Sequence, residues 1–482
     1  MASPNIPFDN VNTDLRKPGV YSENDTSNAV RGLPAASYKV ALLAQMVSGT
    51  YTAENVYRAY SADDVVTGAG TGSIAHLAAR AIFKANPDVK LDVIPIADAA
   101  GTPATGTIVV ANAATASGTI DFWIGNEYVQ VTVTSGDSAN TIAAAIDTAI
   151  NAKEHNMPVT ASVATATVTL TARNDGLLGN NIPCSYKINN VTATTITITQ
   201  VGSVVAGATD PSIANALAAI APEKYDIILC TLNDATNLGL LKTHLDTYAA
   251  PAENKPGIGV FGYTGVQATC ETLCGTTLNS ERLTCAYLKY SKTTERGHSL
   301  DYEVAAAYAG VIASHDDPAL PYNTEALTGI APPATDQRLT RTQQESTLEN
   351  GVTPLEVGAG ETVQVVRAIT TYTTNANSIA DPALLDLTTI LSLDYGRLAI
   401  ETREQLRFSQ AKATERTKGK LKAEILDVLR LLDESEIWTY PDSPDEVLVE
   451  EDSVAAGRFN TSIPAYVVQG LHIIANKINL LL

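Results

Sequence analysis

Cys270 and Cys274 stand four residues apart in a stretch with helical spacing, which sets both thiols on one helix face. Two thiolates are half of a tetrahedral zinc site, and the nearest histidine is His298. The chain has five cysteines, the others being Cys184, Cys230 and Cys285; an odd number in a long chain speaks against a disulfide framework and for reduced core thiols in a reducing cytoplasm. His315-Asp316-Asp317 has the residue types of a metal or acid–base cluster, but Pro318 follows it at a helix end, where a solvated turn is the expected reading. Asn233-Asp234 follows a strand at the place of a helix cap, and Asp63-Asp64 reads as an exposed turn. Gly68-Ala69-Gly70-Thr71-Gly72 has neither the spacing of a dinucleotide loop nor the lysine of a phosphate loop, so it reads as the turn that starts a helix. Neither a Gly-x-Ser-x-Gly elbow nor a His-Glu-x-x-His pair occurs. No catalytic, cofactor-binding or metal residue is expected from these patterns.

One charge feature departs from the rest of the chain. Residues 403–422 hold seven basic and two acidic side chains, a local excess of five positive charges in a chain of net charge −20. Helical spacing puts Lys412, Arg416 and Lys420 on one face, with Arg407 before them, and an apolar stripe of Leu421, Ile425, Val428 and Leu432 follows. A helix packed at one end and basic at the other suits docking to an acidic partner, against the plainer reading of a solvated face. Only Phe408 interleaves with the basic residues, so nucleic-acid binding is not indicated.

The elements that would carry these residues alternate. Strands at 38–43, 91–96, 225–230, 257–263 and 283–290 are separated by helices at 73–86, 234–248, 267–279 and 301–314, which predicts right-handed crossovers and a parallel sheet. Ser73 is the expected cap of the first helix and Pro87 its stop. The rhythm is interrupted between 101 and 207, where charge thins and Thr, Ala and Val dominate. There a hairpin at 118–133 turning on Gly125-Asn126, a Ser138-capped helix with Ile142, Ile146 and Ile150, and strands at 162–171 and 191–201 describe an inserted β-rich domain with one helix. A polar link leads to a last domain with a strand at 361–371, a helix at 381–402 and a long helix at 403–434. The expected fold is therefore multidomain α/β and α+β. It comprises an N-terminal arm (1–30), a split α/β domain (31–100 and 208–320), the insertion (101–207), a linker (321–350), a C-terminal α+β core (351–462) and a C-terminal arm (463–482).

With 482 residues, 45% apolar and 17% charged, the chain is globular and long enough for about three cores. Its acidity argues against coating nucleic acid or an anionic membrane, and no stretch reaches the length of a membrane helix. The start shows no basic, apolar leader. The ends are unusual. Pro18, Gly19, Val20 and Tyr21 lie in a proline-punctuated arm, and the last twenty residues, with Val467, Leu471, Ile473, Ile478 and Leu480, are mostly aliphatic or β-branched up to Leu482. Such a terminus needs a partner to cover it, either the chain's own sheet or a second copy.

The stretch Asp14-Leu15-Arg16-Lys17-Pro18-Gly19-Val20-Tyr21-Ser22-Glu23, followed by Ser27-Asn28-Ala29-Val30, resembles the N-terminal arm of tail sheath proteins of contractile-tailed phages, the Mu-like branch above all. The 120–181 region, with Val168-Thr169-Leu170-Thr171-Ala172-Arg173-Asn174-Asp175, and the 477–482 ending resemble that branch too. The resemblance implies a non-enzymatic virion subunit without cofactors, assembled in the host cytoplasm into a helical homo-oligomer of stacked hexameric rings around the tail tube protein, with baseplate and tail terminator proteins as further partners. It gives Pro18, Gly19, Val20, Tyr21 and the C-terminal residues above the role of inter-subunit arms, and Arg407, Lys412, Arg416 and Lys420 that of tube docking. A phage-derived injection device uses the same subunit. A soluble α/β hydrolase working through Asp234 or His315, and a static capsid-like shell, are the competing classes.

Overall fold

A computed structural model describes residues 17, 33–34, 38–98, 101–290 and 295–480. The central sheet starts with β1 (Lys39–Gln45), β2 (Tyr57–Ala59) and β3 (Lys90–Ile96), connected by helices α1 (Ala62–Ala69) and α2 (Ile74–Ala85). Asp63 and Asp64, expected in a turn, form the first turn of α1; Asp64 accepts from the backbone of Tyr60 and Ser61 and completes a capping box with Ser61. The glycine run does start a helix: Ser73 caps α2 through the His76 N–H.

His76 faces back into that turn, and its Nδ1 accepts the Gly72 N–H at 3.1 Å. Burial, helped by the Arg80 charge, pushes its pKa down to about 4. An unfolded chain takes up a proton near the ordinary histidine pKa that the native chain refuses, so stability should fall as pH drops from about 6.5 towards 4. His244, also pushed down to about 4 by burial, adds to the same loss. Calorimetry on the wild type and on His76→Gln checks this: the variant's melting temperature should fall less steeply, or rise more, across that window than the wild type's.

The insertion follows β3. A four-stranded antiparallel sheet forms from β4 (Pro103–Ala111), β7 (Val159–Ala164), β8 (Thr167–Asp175) and β10 (Thr195–Thr199). A three-stranded one forms from β5 (Gly118–Ile124), β6 (Glu127–Val133) and β9 (Cys184–Asn189). Helix α3 (Ala139–Asn151), capped by Ser138, packs on strands of both and buries Ile142, Ile146 and Ile150. Gly125, at φ +56°, makes the expected hairpin turn. The strand expected at 162–171 is instead a hairpin. Thr165 takes a positive φ between β7 and β8, which alternation alone does not reveal.

After α4 (Ala214–Ile220) the sheet resumes with β11 (Ile227–Cys230), α5 (Ala235–Ala249), β12 (Ile258–Tyr263), α6 (Gln267–Glu271) continued by a π-helical turn at Thr272–Leu278, β13 (Leu283–Tyr287) and α7 (Asp301–Ser314). It does not stop there. Within the segment expected to link domains, α8 (Arg341–Glu349) forms under a Thr340 capping box; beyond it, in the segment expected to start the C-terminal core, β14 (Thr353–Val357) and β15 (Val363–Val365) extend the sheet to eight strands, ordered β15-β14-β13-β12-β11-β1-β3-β2. Neighbours from β3 to β14 are parallel, and only the edge strands β2 and β15 run antiparallel. Strands β11, β12 and β13 are buried almost throughout, as a sheet covered on both faces requires.

The chain divides into two compact units. The sheet, the insertion, Glu436–Thr439 and the residues from 465 onward belong to the larger; Leu398–Ser435 and Tyr440–Pro464 belong to the smaller. Helix α9 (Leu387–Phe408) begins in the larger unit. In the smaller unit, α10 (Glu415–Glu434) buries Leu421, Ile425, Val428, Leu429 and Leu432 and packs on a hairpin of β17 (Leu448–Glu451) and β18 (Phe459–Ser462). In the larger unit, β16 (Trp438–Thr439) pairs antiparallel with β19 (Tyr466–Val467).

Candidate functional site

Open parallel sheets bind ligands beyond the carboxyl ends of their strands, at the point where strand order reverses. Here that point lies between β1 and β11, and the chain fills it with its own insertion. Asp98, just past β3, accepts from Gln45 Nε2 at 2.8 Å, the Asp175 N–H at 3.1 Å and Asn174 Nδ2 at 3.3 Å. Asn174 also donates to the Met46 carbonyl and accepts the Ile74 N–H at the start of α2. Further along the same edge, buried Asp301 accepts from Thr264, Asn181 and Asn233. Burial raises both Asp98 and Asp301 from the usual carboxylate range. Their hydrogen bonds tie the 174–181 segment to the sheet.

A cavity of about 630 Å³ remains beside it, past β12 and β13, lined in part by Thr264, Gln267, Glu271 and Lys289. Gln267 donates to Glu271 there at 2.7 Å. The other residues suspected of chemistry have structural places. Asp234 caps α5 by accepting the Thr236 and Asn237 N–H groups. His315 follows the last turn of α7, 3.7 Å from Glu325, and Asp317 accepts the Ala319 N–H in the turn after it.

The basic segment is not one helix. α9 ends at Phe408 and α10 begins at Glu415, because Thr414 caps the second helix through the Thr417 N–H while Thr417 Oγ1 donates to the Lys412 carbonyl. Lys412 therefore sits in the connecting loop and not one turn before Arg416. Nor are all the basic residues of the segment displayed, and of the four expected to dock Arg407 is the one turned in. Arg403 is buried and bonded to Asp427 at 2.8 Å and Glu424 at 3.1 Å, and half-buried Arg407 lies 3.9 Å from Glu424. Lys412, Arg416 and Lys420 remain exposed. Arg416 lies in the first turn of α10, where positive charge opposes the helix dipole, so its position does not stabilise the helix.

Among the described residues of the C-terminal arm, strand structure is limited to Tyr466–Val467, because β16 offers only two residues to pair with. Beyond it Asn323 Nδ2 donates to the Leu471 carbonyl at 3.3 Å and sits 3.0 Å from His472 Nδ1. Val467 is half-buried against its own chain, whereas Leu471, Ile473, Ile478 and Leu480 are 69–93% exposed, as is Ile474 at 72%. Pro18, Gly19, Val20 and Tyr21 lie outside the described residues.

The family model of the phage tail sheath protein central domain matches residues 206–371, from just before α4 through the end of the sheet. The tail sheath protein of the Mu-like prophage FluMu of Haemophilus influenzae is 31% identical over 415 residues, which cover 84% of this chain and 83% of that one. The chain belongs to the phage tail sheath family. Among solved structures, the sheath tail protein of Desulfitobacterium hafniense shares the fold at a TM-score of 0.52 and 14% identity, covering 94% of this chain and 97% of that one. The helical sheath of the anti-feeding prophage in its contracted state does so at 0.51 and 13%, covering 96% and 98%.

For a Mu-like contractile tail sheath protein, the features that matter lie at the surface, and the sequence showed them unevenly. The aliphatic tail and the exposed cations were visible in residue types. The inward turn of Arg403 and Arg407 was not, although Glu424 and Asp427, three apart on α10, are the acceptors that could have signalled it. The convergence of Cys285 on Cys270 and Cys274 was likewise missed, since it depends on a strand and a helix meeting in space.

Proposed function

We propose that this sheath subunit polymerises as stacked hexameric rings around the tail tube, with baseplate and terminator proteins at the ends, and contracts to drive the tube through the host envelope. The observation that carries the reading is the C-terminal segment. It is anchored at β19 and then leaves five large aliphatic side chains in water, which a second copy would cover by adding the segment to a sheet edge. Repeated head-to-tail contacts that do not close on themselves build a helix, as a sleeve requires. Contraction runs from a metastable extended lattice to one burying more surface, so it needs no nucleotide and no enzymatic step. The subunit assembles in the host cytoplasm and resides in the virion tail. The insertion packed into the switch-point crevice favours this reading over a hydrolase. Negative-stain microscopy of the purified protein tests it: hollow sleeves are expected, and a discrete small oligomer would overturn it.

Docking to the tube is assigned to the exposed Lys412, Arg416 and Lys420, with half-buried Arg407 behind them. Reversing Arg416 and Lys420 to Glu should weaken co-sedimentation with tubes on the order of tenfold at low ionic strength, the difference shrinking as salt screens it. Both positions are exposed, so folding stability should change by no more than about 0.5 kcal/mol. Unchanged tube binding would remove the assignment.

A further inference from the structure

Cys270 and Cys274, on α6 and its π-helical continuation, meet Cys285 of β13 in the core, with all three Sγ atoms within 4.8 Å of one another and every one of the residues buried. Cys270 Sγ and Cys285 Sγ are 3.7 Å apart. A disulfide needs about 2.05 Å, so this spacing is not a bond. It is the spacing thiolates take around a common centre: metal–sulfur bonds of about 2.3 Å set neighbouring sulfurs about 3.8 Å apart in a tetrahedron and about 4.0 Å apart in a trigonal plane.

We propose that the three thiols bind one thiophilic divalent d10 ion, of the Zn(II) or Cd(II) type, as three thiolate ligands. No His, Asp or Glu joins the cluster among the described residues, so the protein supplies a three-sulfur set. Binding releases three protons, M²⁺ and three thiols giving one tris-thiolate complex of charge −1 and three H⁺. A monovalent ion would leave −2 in the same buried space, which is why the divalent charge is favoured. The ion would clamp the π-helical turn to β13. Cys184 and Cys230, outside the cluster and pushed up to about 12 by burial, have no such neighbours.

The test uses the purified full chain, reduced and refolded with and without Cd(II) or Zn(II). One Cd(II) per chain, a thiolate-to-metal charge-transfer absorption and a higher melting temperature are expected, with occupancy falling steeply on acidification. Either ion bound at one equivalent per folded chain supports the site. Cys285→Ser should lose the absorption and the thermal shift, while Cys184→Ser and Cys230→Ser keep both. Absorption retained in Cys285→Ser, or stoichiometry well below one in the folded wild type, overturns the site. The wild-type stoichiometry decides even where Cys285→Ser fails to fold.

Discussion

Deleting residues 468–482 is expected to leave a folded subunit that no longer forms sleeves. The cut falls after β19, so the β16–β19 pair survives. Leu471, Ile473, Ile474, Ile478 and Leu480 contribute little to the subunit's own core because they are mostly exposed. The melting temperature should therefore move by no more than about 2 °C. Assembly is a different matter. Each large aliphatic side chain is worth about 1.5–3 kcal/mol on full burial, so five of them represent on the order of 10 kcal/mol per inter-subunit contact. Loss of that amount cannot be compensated by raising the concentration within any practical range. Sedimentation and microscopy on the truncated chain should show subunits or short oligomers. Sleeves of normal length from the truncated chain would mean the tail is not the link.

The second large effect concerns the anchor of that tail. Trp438 of β16 is 5% exposed, and its Nε1–H donates to the Ser392 carbonyl of α9 at 3.0 Å. The indole lies on Gly396, where an added Cβ would stand 2.2 Å from Trp438 Cζ2. Only a residue without a side chain lets helix and ring approach this closely. Trp438→Ala should cost about 3–5 kcal/mol in urea unfolding, through the cavity and the lost hydrogen bond. Gly396→Ala should cost about 1–3 kcal/mol by forcing the indole outward. The two act on one contact, so they should not add. In the Trp438→Ala background the alanine at 396 should cost little or even help, a coupling of roughly 1–3 kcal/mol. Either single change should also expose the 465–480 segment to protease, because β16 is the strand that holds β19. Strict additivity would show that the helix and the indole are not packed as described.

The parts of this fold that were legible are those set by local chemistry. Ser73 and Ser138 announce helix starts, Gly125-Asn126 a hairpin, and the run of β-branched strands alternating with helices a parallel sheet. What was not legible depends on partners distant in sequence. β9 alternates apolar and polar residues over only six positions, three of them the weak strand formers Ser185, Lys187 and Asn189; it is a strand because β5 pairs with it along its whole length. β14 lies just beyond a polar stretch that reads as a linker and was not expected, and β15 falls within the strand expected at 361–371 but was not expected to join this sheet; both complete it through β13. The break between α9 and α10 turns on a side-chain competition at Thr414 and Thr417 that helical periodicity overrides on paper. Among the basic residues, Lys412, Arg416 and Lys420 are exposed, whereas Arg403 and Arg407 turn towards Glu424, and Arg403 also towards Asp427.

The most direct measurement is a cryo-electron microscopy reconstruction of the assembled protein in which residues 468–480 can be traced. This segment is expected to leave its own subunit after Val467 and run as a strand against another, with Ile473, Ile478 and Leu480 covered by it. A tail that stays beside Asn323 of its own subunit, its aliphatic side chains still in water within the assembled lattice, would contradict it.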